Sequence, residues 1–272
     1  MVGVLGENNM SNGATVLAEW KKKKLSAYDK LIEKNWIKVF GTKIEQRSVR
    51  LRDDGKYEET RGFSLDGNWV FVNIKSAAIA GEKCYKYHEY YFGKMGIIPS
   101  PCFDCYKVVV KPRTVVELFK LHELQKKLNI PCKAGYEERP YVHRLYGGYF
   151  YCAGKENGRE CLDLLRQTIS CVGDGIEVLL KRGCTEFEMK VGPSDTWSMQ
   201  PGQEQLEQEF ESRYVEINPE TREQPEDLVT HIKLKWIHYA AKAKPPDLTY
   251  KELTGGKPLV PEAHYKRWGD AE

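Results

Sequence analysis

The 272 residues, 41% of them hydrophobic, suffice for one large domain or for a core with substantial extensions. A formal net charge of +3 is too small to announce a nucleic-acid protein by charge alone. No run of about 18 apolar residues occurs, which excludes a membrane-spanning helix, and the opening MVGVLGENNMSNGATVLAEW has no basic stretch leading into an apolar one, so the expected location is cytoplasmic with no signal peptide.

Residues 14–35 read as a helix, with Leu17, Trp20, Leu25, Tyr28 and Ile32 at roughly helical spacing and the basic run Lys21–Lys24 as a solvated face. Residues 36–75 read as a β-meander. Asp54-Gly55 and Asp66-Gly67 are hairpin-turn dipeptides, and Ser48–Arg52 and Trp69–Ile74 alternate as strands do. The aromatic-rich stretch 76–98 fits no single pattern.

The segment 101–184 is the most ordered. Tyr106–Lys111 is short and β-branched, hence a strand, and Pro112 ends it. Thr114-Val-Val-Glu117 is a capping box, in which hydroxyl and carboxylate satisfy the orphan amides of a helix start. That helix runs to about Leu128, with Leu118, Leu121, Leu124 and Leu128 on one side, and Asn129 and Pro131 stop it. Cys132–Glu138 and Leu145–Cys152 read as strands. A second capping box, Asn157-Gly-Arg-Glu160, opens a helix to about Val172, and Ile176–Arg182 is a fourth strand. The order β-α-β-β-α-β is that of the ferredoxin-like unit. Right-handed crossovers then place its third strand between the first and second, with the fourth beside the first.

Further on, Glu186–Val191 alternates and reads as one more strand. Residues 203–214 read as an acidic amphipathic helix. Residues 225–243 read as another, with Leu228, Ile232, Trp236 and Tyr239 on one face, followed by an arm at 244–272. The expected class is α+β, in three parts: an N-terminal helix and β-meander (1–98), a ferredoxin-like metal-binding core (99–192) and a C-terminal helical extension (193–272).

Eight cysteines are the anomaly of composition. A chain this long does not need disulfides, so clustered thiols point to metal ligation or redox work, with packing as the bland alternative. The topology gathers them. Cys102 and Cys105 precede the first strand, Cys132 starts the second, Cys152 ends the third, and Cys184 follows the fourth. All five are therefore expected at one end of the sheet. Cys102, Cys105, Cys132 and Cys152 form the first-choice ligand set, with Cys184 in reserve. Tetrahedral zinc takes four thiolates, and so does a [4Fe–4S] cluster. Zinc sites more often show two Cys-x-x-Cys knuckles, and the single one here favours iron–sulfur. Cys171 reads as core. Cys84 and His88 have ligand-like spacing but read as a histidine satisfied by other means.

Two further motifs carry chemistry. Glu188-Met-Lys190, with Asp174 upstream, has the form of half a metal-dependent nuclease site. Tyr146, Tyr149, Phe150 and Tyr151, with Gly147 and Gly148, resemble the aromatic strand of RNA-recognition modules, although alternate aromatics must face opposite sides of a sheet. No phosphate-cradling loop or nucleophile elbow is present. The expected function is therefore a cytoplasmic iron–sulfur protein in electron transfer or redox enzymology, working with a redox partner protein. One alternative is a nucleic-acid-binding or processing protein with structural zinc. The other is an assembly protein using the acidic helix and the arm.

Overall fold

The computed structural model describes residues 49–51, 53–54, 56–59, 67–73, 84, 86–215, 224–257 and 259. The helix expected over 14–35, much of the meander and the end of the arm lie outside these residues. A hairpin of β1 (Val49–Leu51) and β2 (Tyr57–Glu59) turns at Asp53 and Asp54, and β2 pairs in parallel with β8 (Tyr214–Val215). The main sheet contains β3 (Trp69–Val72), β4 (Cys105–Lys111), β5 (Cys132–Tyr136), β6 (Tyr146–Ala153) and β7 (Glu177–Arg182). Its order is β3-β5-β6-β4-β7, and every neighbouring pair is antiparallel. Thus β6 lies between β4 and β5, and β7 flanks β4. The strand β3, from the N-terminal part, joins this same sheet.

The pleat sorts the side chains. Val108 and Val110 face one side, with Phe150 opposite Val108 and Cys132 opposite Phe150. Against this side pack α1 (Val115–Leu128) and α2 (Gly154–Thr168), burying Leu121, Leu124, Cys161 and Leu165 on Val108, Val110 and Phe150. Each of these leucines contributes roughly 1.5–3 kcal/mol by leaving water. The helix α1 begins as its capping box dictates: the Thr114 hydroxyl accepts from the Glu117 amide at 3.1 Å, and Asn129 ends it in the left-handed region at φ 50°. Gly148 sets the helix–sheet distance. A Cβ there would stand 2.4 Å from Leu121 Cδ2, inside van der Waals contact.

Two expectations are corrected. The helix α2 begins three residues before Asn157, because β6 feeds straight into it. Asn157 then reaches back from the first turn, its Oδ1 accepting from the Ala153 amide at 3.2 Å. The helix ends at Thr168 and tightens into a short turn at Ile169–Cys171. The segment expected as a strand over Glu186–Val191 is a helix, α3 (Thr185–Val191). Its alternation misleads because only Phe187 is buried, while Met189 and Val191 are exposed. Acidic Glu186 and Glu188 in the first turn also suit a helix N-terminus.

Beyond this lie α4 (Gln203–Arg213), α5 (Glu226–Lys242) and α6 (Tyr250–Thr254). Ile232, Trp236 and Ala240 of α5 are fully buried against Val70, Leu118, Ala134 and Tyr146, so α5 shares the side of the sheet that α1 covers. Gln224, just before α5, bonds to the backbone of β3 in both directions, to Phe71 N–H at 2.8 Å and Trp69 C=O at 3.0 Å, and so covers the free edge of the sheet. Helices segregated mainly to one face of an antiparallel sheet define an α+β fold. No helix among the described residues is long and apolar enough to cross a membrane.

The arm is tied down by one side chain. Asp247 accepts from the Val115 amide at 2.6 Å, an orphan donor of the first turn of α1, and from the Tyr146 hydroxyl at 2.7 Å. Asp247→Ala is therefore expected to cost about 1–3 kcal/mol, since it strands both donors. Urea unfolding would read this as a lower midpoint at unchanged slope, and an unshifted midpoint would show the arm to be idle.

Candidate metal centre

The strand ends bring the sequence-selected cysteines to one end of the sheet, and the pleat then divides them between its two faces. Cys132 stands opposite Phe150, and Cys152 follows two residues later on that same face, opposite Tyr106. Cys105, one residue before Tyr106, must face the other way. Cys132, Cys152 and Cys161 are buried in the apolar core under α1 and α2, where they pack as small hydrophobes. The first-choice set of four is thus split in two.

The other face collects a different group. Cys102 sits in the turn Ser100–Asp104, and its carbonyl accepts from the Cys105 amide. The Cys105 carbonyl accepts in turn from the Gly183 amide at 2.7 Å. Gly183 has φ +60°, and a Cβ there would lie 2.5 Å from the Trp197 ring and 3.8 Å from the Cys102 carbonyl. Only glycine fits this turn, and the turn brings Cys184 back toward Cys102. Both thiols pack with Tyr87, Phe92, Phe187 and Trp197. From across the cluster comes a wide, π-type helix, Tyr87–Met95, a form often found at functional sites. Its His88 stacks on Phe187 at 4.8 Å. Ligand atoms of His88, Cys184 and Glu186 all fall within 4.8 Å of one another. Cys84, four residues before His88, acts electrostatically on Cys102, Cys105 and Lys107.

Charge is uneven in this corner. Burial pushes the Cys102 thiol far up, and the other thiols add to it. Burial also pushes Cys105 up, to about 12, although the Lys107 charge partly offsets it. Cys184 goes the other way. Burial would raise it, but the Lys107 ammonium, 3.1 Å from its sulfur, and the hydrogen bond to His88 bring it down to about 6. Burial would likewise raise Glu186, but the Tyr141 hydroxyl at 2.6 Å and Arg139 at 3.0 Å bring it down to about 2. At neutral pH this favours a thiolate at Cys184, paired with the Lys107 ammonium, and a carboxylate at Glu186, held by Tyr141 and Arg139. Cys102 and Cys105 would each release a proton on binding a cation.

The same face continues away from the thiols. The buried Glu137 carboxylate is shared by Arg139 at 2.8 Å, the Tyr149 hydroxyl and Arg144 at 3.9 Å. Lys133 lies with its amine 4.2 Å from the Trp69 ring. Burial, joined by the charges of Lys107 and Arg139, lowers that amine to about 8. The Glu188-x-Lys190 pair forms no nuclease site. On helix α3 positions two apart diverge, Glu188 pairs with Lys181, and Lys190 lies over Phe92 at 4.7 Å. Asp174 is at the far end of the sheet, its carbonyl bonded to Arg113 at 2.8 Å. Of the aromatics on this strand, Tyr146 and Phe150 are buried on the helix-covered face, Tyr149 is buried edge-on against Trp69 at 5.6 Å, and Tyr151 alone is half-buried, beside Lys107 at 6.0 Å.

Sequence reasoning sets aside Cys84 and His88 and assigns Glu186 to a strand. The Cys-x3-His spacing is the signal for the first two. Nothing in the sequence links them to Cys184. No disulfide joins the eight cysteines. No protein family, curated protein or solved structure matches the chain.

Proposed function

We propose that this chain is a metal-binding protein built on a ferredoxin-like core, carrying an iron–sulfur cluster on Cys84, Cys102, Cys105 and Cys184 and working in electron transfer. The observation that carries this reading is the convergence of the Cys-x-x-Cys turn and Cys184 on one face, through the backbone bonds from Cys102 to Cys105 and from Cys105 to Gly183. Spacing favours a cluster over a single ion at these thiols. Thiolates on one tetrahedral zinc stand about 3.8 Å apart, given bonds of about 2.3 Å. Among the described residues the sulfurs of Cys102, Cys105 and Cys184 form no set within 4.8 Å. Each ligand of a [4Fe–4S] cube sits on its own iron, which suits wider spacing. The Lys107 ammonium beside Cys184 would then neutralise part of the cluster's negative charge and favour its reduced state. Eight thiols without a disulfide fit a reducing compartment, as in the cytoplasm.

A second reading rests on the compact group of His88, Cys184 and Glu186. Sulfur, nitrogen and carboxylate donors this close suit a single zinc ion with an open fourth position.

Anaerobically purified protein is expected to be brown and to contain iron and acid-labile sulfide in stoichiometric amounts. Cys102→Ser and Cys184→Ser are expected to lower both to about a tenth or less, given that each removes an essential thiolate. Cys132→Ser and Cys152→Ser should leave them in place. Zinc without iron, lost in His88→Ala, would replace the cluster with the mononuclear site. Protein free of stoichiometric metal would sink both readings.

A further inference from the structure

We propose that β7 is a dimer interface, through which two copies of this chain join edge to edge and their five-stranded sheets become one sheet of ten. The surface uses none of the residues assigned to the metal, so it stands whether or not that corner is loaded.

The two edges of the main sheet differ. Gln224 covers the edge of β3, but among the described residues nothing bonds to the outer side of β7. The ladder tells which backbone groups stand there. The Gly183 amide donates to the Cys105 carbonyl at 2.7 Å, one step beyond the Tyr106–Arg182 pair. Bonded and non-bonded pairs alternate along an antiparallel ladder, so Glu177, Leu179 and Lys181 exchange bonds with β4. The N–H and C=O groups of Val178, Leu180 and Arg182 then point outward, with no strand to receive them. Open edges are usually blunted by a proline, a bulge or an inward-pointing charge. The strand β7 has no proline, its register with β4 runs unbroken from Glu177 to Arg182, and its centre, Val178-Leu179-Leu180, is apolar and half-buried.

Charge selects a second copy as the occupant. Two strands related by a two-fold axis pair antiparallel and reciprocally, and only residues with outward backbone groups can bond across the new edge. Centred on Leu179, this pairing sets Val178 against Leu180 of the second copy and Leu179 against its own counterpart. It also sets Glu177 against Lys181 of the second copy, once on each side of the axis. Centred on Leu180 instead, it would set Lys181 against Leu179 and Arg182 against Val178, matching no charge. The Glu177–Lys181 pairs fall at non-bonded positions, where Cα atoms stand about 4.5 Å apart and side chains meet most closely. Glu177 already pairs with Lys111 at 2.6 Å, and Lys181 with Glu188. Joined across the edge, Lys111, Glu177, Lys181 and Glu188 make one row of alternating sign. Within its own sheet Lys181 stands opposite Lys107, a like charge that a further carboxylate offsets. A strand of unrelated sequence would find the same backbone groups but not this match.

Sedimentation of the full chain over a range of concentrations tests the proposal. The expected mass is twice the chain's 31.4 kDa, falling to that of one chain on dilution. Amide exchange at Val178 and Leu180 should slow as concentration rises, while that at Leu179, already bonded to β4, changes little. Val178→Pro removes an outward N–H and no bond to β4, so it should be monomeric with the circular dichroism of wild type. Glu177→Lys opposes like charges at both pairs and should weaken the dimer at least about tenfold, and adding Lys181→Glu should restore it. A single chain at every concentration overturns the proposal, and so does a dimer in which exchange at Val178 and Leu180 does not respond to concentration. A dimer equally strong in Glu177→Lys overturns the register.

Discussion

Trp236→Ala is expected to destabilise the protein by about 3–5 kcal/mol, the range for removing a large buried aromatic side chain. Trp236 is fully buried where α5 meets α1 and the sheet. Its ring lies edge-on to Phe119 at 5.5 Å, and its indole N–H donates to the Asn68 carbonyl at 2.8 Å. The alanine variant loses the transfer energy of the ring, leaves a cavity that β3, β5 and α1 can fill only in part, and strands the Asn68 carbonyl. Trp236→Phe separates these effects. It keeps most of the ring and removes the hydrogen bond, so its expected cost is smaller, about 1–2 kcal/mol. Domains of ordinary stability have about 5–15 kcal/mol in hand, so the alanine variant should stay folded only narrowly, if at all. Urea unfolding of the three proteins at neutral pH measures this directly. A loss under about 1 kcal/mol in Trp236→Ala, well below the range for a buried aromatic, would mean that α5 is a peripheral attachment rather than part of the core.

The amino-acid sequence alone marks that helix, because Leu228, Ile232 and Trp236 recur at the spacing of a helix face. It also marks α1, through Thr114 and Asn129, and the strand around Val108-Val109-Val110. These elements are fixed by local chemistry: a cap, a left-handed stop, a β-branched run. The departures are of another kind. Glu186–Val191 has the alternation of a strand, but beyond Arg182 no neighbouring strand among the described residues pairs with it, and the turn at Gly183 carries the chain away from the sheet. Local pattern cannot report a missing partner. The thiol site shows the same limit at finer scale. Strand order tells which end of the sheet each cysteine reaches. Strand register tells which face, and register depends on a single residue. Cys105 pairs with Ala153 and not with Cys152, and that offset alone puts Cys152 in the core. Of the replacement partners, Cys84 and His88 have a ligand-like spacing, and Lys107 lies two residues along β4 from Cys105 on the same face, but only tertiary packing brings His88 and Lys107 to Cys184.

The second large effect is on acid stability, and it comes from His122. This side chain lies on α1, 3% exposed, with its ring edge-on to Trp236 at 6.2 Å. Its Nδ1 is buried without a hydrogen-bond partner among the described residues. Burial, together with the charges of Lys233 and Lys126, lowers its pKa from 6.5 to about 4, and neighbouring Glu123 and Gln125 oppose this only in part. The folded protein therefore refuses a proton that the unfolded chain accepts. Well above pH 6.5 neither state is protonated and His122 costs nothing. As pH falls from 6.5 toward 4 the unfolded state gains, and the penalty grows to about 2 kcal/mol by pH 5 and levels off at about 3 kcal/mol below pH 4. His122→Leu removes the titration and keeps an apolar group of similar bulk against Trp236. Its stability should change less than wild type between pH 7 and pH 5, by about 2 kcal/mol, with the other titrating groups contributing equally to both proteins. Parallel pH profiles for the two would show that His122 takes up its proton in the folded state, which requires the contact between α1 and α5 to open without unfolding. A wild-type profile that falls more steeply than that of His122→Leu would instead place the Trp236 interface among the last parts of the fold to yield to acid.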